Sequence, residues 1–151
     1  MAEKQVAVNK KAYYDYEVLK RVEAGLALLG SEIKSIREGR VQIREAYARP
    51  EGGEMWLIGA HIAQYAPAGA EGHEPTRKRK LLLHKDQIIR LSRQVAESGL
   101  TLVPLRLYLK GHRAKLELGL AKGRKRYDKR RVIIDRERDN EARQAVRRRS
   151  E

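Results

Sequence analysis

The stretch LVPLRLYLKGHRAKLELGLAKG, residues 102–123, constrains the fold more than any other part of the chain. Leu105, Leu107 and Leu109 fall on one face of an extended strand, with Arg106, Tyr108 and Lys110 on the other. After Gly111 the pattern resumes through Ala114, Leu116, Leu118 and Leu120. A period of two means a half-buried strand, and two such runs around a glycine predict an antiparallel hairpin. Such a hairpin cannot stand alone in water, so the rest of the chain must supply a sheet that buries the leucines.

Other segments supply it. VQIREAYARPEGGEMWLIGAHI, residues 41–62, contains two β-rich runs around Pro-Glu-Gly-Gly and predicts a second hairpin. YDYEVLKRVEAGLALLG alternates Tyr14, Tyr16 and Val18 with acidic residues, then bends near Gly25. SEIKSIREG reads as a short helix with Ser31 as N-cap, Ile33 and Ile36 inward and Gly39 beyond its end. HKDQIIRLSRQVAESG reads as a longer helix that buries Ile88, Leu91 and Val95 and stops at Gly99. The loop APAGAEGHEPTRKRK ends in four cations, Arg77 to Lys80. Short strands with a few helices in a small basic domain predict a mainly β fold with α. The expected form is a partly open antiparallel β-barrel of the oligonucleotide-binding type, with about three helices and a charged C-terminal tail.

Charge narrows the function. The 151 residues carry a formal net charge of +14, from 34 basic and 20 acidic side chains, so the expected partner is anionic. Residues 124–151 hold 12 of those basic and 6 of those acidic residues, a net of +6, and residues 1–123 hold the remaining +8. The two parts are expected to be an RNA-binding body, 1–123, and a basic tail, 124–151, disordered alone and helical on a partner. Tyr127 stands out as a stacking residue in a segment that has no core.

Chemistry is weakly represented. No cysteine is present, which removes thiol catalysis and cysteine metal sites. His61, His73, His84 and His112 have no metal-ligand spacing, and no nucleophile elbow, phosphate loop or dinucleotide fingerprint occurs. The expectation is a binding protein without cofactor, metal or catalytic residue, monomeric and cytoplasmic, with neither signal peptide nor membrane span.

Five blocks, NKKAYYDYEVLKRVEAGLALLGSEIKSIREGR, GEMWLIGAHIAQY, RKRKLLLHK, TLVPLRLYLKG and ELGLAKGRKRYDKR, resemble the SsrA-binding protein (SmpB) family. The likeness runs from Asn9 to Arg131 with the blocks in family order. It implies binding to the tRNA-like domain of transfer-messenger RNA and delivery of that RNA to ribosomes stalled on truncated messages, in trans-translation. It implies a ribosomal contact with small-subunit RNA near the decoding centre and message channel. Carried over residue by residue, the resemblance places Asn9, Lys11, Glu23 and Leu82 among RNA-binding residues, with phosphate contacts from Lys34, Arg79, Lys80, Lys122 and Lys125. Tyr127, Asp128, Lys129 and Arg130 match the tail motif that acts on the ribosome. The family often has Arg-His where this chain has Tyr13-Tyr14, which suggests stacking there instead. The alternative is a ribosomal or other RNA-binding barrel protein without a transfer-messenger RNA role.

Overall fold

The computed structural model describes residues 3–65, 72–124, 130, 134 and 136–138. Twelve elements follow in the order β1 (Glu3–Val8), α1 (Lys10–Asp15), β2 (Tyr16–Leu26), α2 (Gly30–Arg37), β3 (Val41–Gln42), β4 (Tyr47–Glu51), β5 (Glu54–Ile58), β6 (His61–Ile62), β7 (Arg79–Leu82), α3 (Lys85–Ser98), β8 (Thr101–Lys110) and β9 (Arg113–Gly123). Seven strands form one antiparallel sheet in the order β1-β8-β4-β5-β7-β2-β9, and β9 pairs again with β8. That last pairing curls the sheet into a barrel, with β1 attached outside the ring on β8. Two seams are thin. β4 meets β8 only at Ala48↔Leu102, and β2 meets β7 only at Gly25↔Leu82 and Leu26↔Leu81. The barrel is therefore partly open, as the sequence led us to expect.

Both hairpins turn where the glycines stand. Glu51↔Glu54 closes β4–β5 around Gly52 and Gly53, whose φ values of 61° and 79° suit a two-residue turn that side chains disfavour. Lys110↔Arg113 closes β8–β9 around Gly111, φ 61°, and His112. The interior is filled by Ile36, Met55, Leu57, Leu81, Leu102, Leu107, Leu116 and Leu118, with Ile88 and Leu91 of α3 packed against it. Each fully buried aliphatic side chain of this kind contributes about 1.5–3 kcal/mol.

The strict leucine alternation fails at one residue. Pro104 pairs with Leu118 and Arg106 with Glu117, so Leu105 is an extra residue in β8. This bulge exchanges the faces of the strand. Leu107 and Leu109 point into the barrel, whereas Leu105 joins Val103, Ala121 and Ala12 in a second cluster beneath α1. A Cβ on Gly119 would lie 3.0–3.2 Å from three Leu105 side-chain atoms, which explains a glycine amid β9.

Two further expectations change. Tyr14 lies in α1, so the alternating strand begins at Tyr16. Ser31 does not cap α2; Leu29 is the N-cap, and its N–H donates to the Glu32 carboxylate at 2.8 Å. Ser31 instead donates its hydroxyl to His73 Nδ1 at 2.9 Å, because His73 Nε2 must carry the proton that it donates to Ile62 O. The N-terminal strand β1 had no signal of its own. No helix among the described residues is long and apolar enough to cross a membrane.

Candidate nucleic-acid interface

Strand parity sets the site. Val22 and Ala24 of β2 pack inward, so Arg21 and Glu23 project outward. Across the ladder, Glu23 faces Glu117 of β9. Two carboxylates opposed in this way repel, and each is claimed by different donors. Arg106 and Arg21 reach Glu117 at 3.0 and 3.4 Å. Glu23 Oε2 accepts from the Tyr108 hydroxyl and, at 3.2 Å, from Lys110 Nζ. The Tyr108 hydrogen bond, aided by Lys110 and opposed by partial desolvation, holds the Glu23 carboxyl below its ordinary value. Glu23 is thus an anion at neutral pH, with a side chain still 41% exposed.

A cleft of about 470 Å³ opens beside it, between β2, β7, β9 and the start of α3. Glu23, Lys80, Leu82, Gln87 and Lys115 line it. Glu23 and Gln87 also border a neighbouring cleft with Lys20, Arg21 and Arg90. Three residues selected from the sequence, Glu23, Lys80 and Leu82, therefore come together here. Leu82 is 52% exposed and lies opposite Gly25, where a Cβ would press within 3.2 Å of it. An exposed leucine beside a carboxylate and several cations offers an apolar platform, a hydrogen-bond acceptor and phosphate partners within one surface. Lys80 shares its charge with Glu54 at 3.4 Å, a solvent-exposed pair of little strength. Lys20, Arg90 and Lys115 make no ion-pair contact among the described residues, although Lys115 is near enough to help hold the Glu23 carboxyl low, so all three can meet a ligand's phosphates.

Asn9 is in another place. It is buried, caps α1 by accepting from Ala12 N–H at 3.1 Å, and donates through Nδ2 to Ile43 O and Pro104 O. Its backbone N–H donates to Leu105 O at 2.8 Å. It thereby ties the β8 bulge to the end of β1 and to Ile43 just after β3, and its amide protons are all used internally. Lys11, next along α1, pairs with Glu45 at 2.9 Å. Lys122 is exposed near the end of β9, opposite Glu17. Lys34 lies on α2, with its ammonium 5.3 Å from the Tyr65 ring centroid.

Arg79 requires a correction. The sequence suggested a phosphate contact within a four-cation run, but its side chain is 0% exposed. Arg79 Nε donates to Glu32 Oε2 at 2.7 Å, and the guanidinium also reaches Ala60 O and Pro75 O at 2.8 and 2.9 Å. Arg77 closes the other side of the same carboxylate. Burial alone would raise the Glu32 carboxyl, yet the donors Arg77, Leu29 and Arg79 outweigh it and hold it low. Because Arg79 begins β7, alternation turns it inward and leaves Lys80 outside. Lys125, Tyr127, Asp128 and Lys129 lie outside the described residues. Arg130 is helical and exposed.

Sequence reasoning passed over Lys20, Gln87, Arg90, Tyr108 and Lys115 as site residues. Period-two spacing placed Tyr108 on the outer face, but nothing local showed Glu23 against it. The Arg21 guanidinium carbon lies 5.6 Å from the Tyr13 ring centroid, within the protein itself.

A partly open barrel with a cation-lined cleft on its outer wall defines the chain as a barrel protein of the oligonucleotide-binding type. The SmpB protein family matches residues 6–148, and the chain belongs to that family. It is 54% identical to the SsrA-binding protein of Carboxydothermus hydrogenoformans over 145 residues, 96% of this chain and 97% of that one. The SsrA-binding protein of a Roseiflexus species is also 54% identical, over 149 residues, 98% of this chain and 94% of its own. Among solved structures, a chain from "tmRNA-SmpB: a journey to the center of the bacterial ribosome" aligns with a TM-score of 0.67 and 44% identity, covering 84% of this chain and 93% of that chain.

Proposed function

We propose that this protein binds the tRNA-like domain of transfer-messenger RNA and delivers it to stalled ribosomes for trans-translation. Family membership across residues 6–148 carries this reading and favours it over that of a resident ribosomal protein. The charge distribution agrees with it. Lys20, Lys80, Arg90 and Lys115 would meet phosphates, Glu23 would accept from a base edge or a 2′-hydroxyl, and Leu82 would pack against a base or ribose. Asn9 would act indirectly, by holding α1 on the barrel.

The protein acts in this reading by shape and charge, in the cytoplasm, without bond chemistry of its own. Residues 1–123 form the RNA-binding body. Residues 124–151, including Lys125 and the segment Tyr127, Asp128, Lys129 and Arg130, engage ribosomal RNA near the decoding centre and message channel. A titration against the tRNA-like domain, with bulk tRNA as competitor, tests this reading. Wild type should bind through the competitor, Glu23→Ala should bind several-fold more weakly, and truncation after Lys125 should retain binding but lose peptide tagging on stalled ribosomes. Binding that bulk tRNA abolishes would reject the proposal.

A further inference from the structure

Glu23 and Tyr108 stand 85 positions apart in the chain, yet the Tyr108 hydroxyl donates to Glu23 Oε2. Tyr108 is 1% exposed, although it belongs to the outward face of β8. Arg106 covers its ring, with the guanidinium carbon 4.2 Å from the centroid. Arg106 is itself held by Glu117 and by Glu3 at 3.1 Å. The phenol is thus clamped in place, whereas Lys110, which donates to the same oxygen, is a half-exposed, flexible cation. Glu23 Oε1 accepts no hydrogen bond from the described residues.

We propose that Tyr108 is a positioning residue for RNA recognition: its hydroxyl anchors one oxygen of Glu23 so that the other is presented, already oriented, to a hydrogen-bond donor of the RNA. The inference rests on the transfer-messenger RNA reading and deepens it. A strand glutamate left free loses rotamer entropy when a ligand immobilises it, a cost on the order of 1 kcal/mol. Here that ordering happens on folding. The donor that fits an ionised carboxylate oxygen is a 2′-hydroxyl or the amino or imino N–H of a base, since a phosphate has no proton to give at neutral pH. Carboxylate and cations then divide the ligand: Lys20, Lys80, Arg90 and Lys115 take the phosphates, and Glu23 takes the donor edge. Such an arrangement favours an RNA that places a donor group against this cleft over one that offers only charge.

Tyr108→Phe isolates the claim, because it keeps the ring and the Arg106 stack and removes only the hydroxyl. Affinity for the tRNA-like domain is measured for wild type, Tyr108→Phe, Glu23→Ala and the double variant, all checked for native far-UV dichroism. In parallel, the Glu23 side-chain carboxyl of the free protein is titrated by carbon-13 NMR. Tyr108→Phe should weaken binding by roughly fivefold, the factor that corresponds to that ordering cost of about 1 kcal/mol. The double variant should bind no more weakly than Glu23→Ala, and Glu23 should titrate higher without the phenol. Wild-type affinity in Tyr108→Phe, losses that multiply in the double variant, or an unchanged Glu23 titration would each overturn the inference while leaving the function intact. Failure of wild type to bind selectively would overturn the function, and the inference with it.

Discussion

Arg79 and Glu32 are the most deeply buried charges described, and their placement governs how α2 joins the barrel. A buried ion pair adds little over a well-packed apolar pair, but removing one partner strands the other. Glu32→Gln should therefore destabilise the protein by about 3–5 kcal/mol, read as a drop in the urea midpoint. The same carboxyl confers a pH dependence. Its folded value lies below the ordinary 4.5, so its contribution is complete above pH 4.5 and is lost as pH falls through the folded value. The wild-type urea midpoint should fall below pH 4.5 more steeply than that of Glu32→Gln. Equal slopes would mean that the pair does not govern acid stability.

At the level of elements, β8 does most of the organising. It pairs with β9 along its length, with β4 at Leu102 and with β1 from Arg106 to Lys110. Pro104 lies where the β8 edge passes from β4 to β1, so its missing N–H deprives neither strand of a donor, and Asn9 takes up its carbonyl. The bulge at Leu105 then sends one leucine outward, over Gly119. Gly119→Val should cost about 1–3 kcal/mol by crowding Leu105, despite the higher strand propensity of valine. A Gly119→Val/Leu105→Ala double variant should recover part of that loss in thermal unfolding. If Gly119→Val raises the thermal midpoint, the close approach of Leu105 does not constrain the strand.

Across the whole molecule, charge controls association. Lys20, Arg90 and Lys115 lie on one side of the barrel and make no ion-pair contact among the described residues, so each should release about one counterion equivalent when it meets a phosphate. Replacing all three by glutamine should lower the slope of log K against log salt by about 2, while leaving the preference over bulk tRNA largely intact. Changing Glu23 should do the reverse, eroding preference with little effect on slope. If the triple variant loses preference and keeps its slope, these cations recognise something other than backbone phosphate.

Much of this was legible in the sequence, because it depended on local rules. Period-two leucines declared the β8–β9 hairpin, glycines at Gly52, Gly53 and Gly111 marked tight turns, and the Ile88–Leu91–Val95 spacing declared α3. Net charge indicated an anionic partner, and the block order carried the family. What alternation could not reveal was where alternation breaks. The Leu105 bulge arises where three other strands share β8, and those strands come from distant parts of the chain. Nor could a run of four cations show which one is buried, since Arg79 is neutralised by Glu32 from 47 positions away. Glu23 and Leu82 were both selected from the sequence, but Tyr108, Lys115 and Arg90 joined them only once β2, β7, β8, β9 and α3 were assembled. Local pattern determined the elements and the overall charge; long-range pairing decided which charges face solvent and which side chains share a cleft.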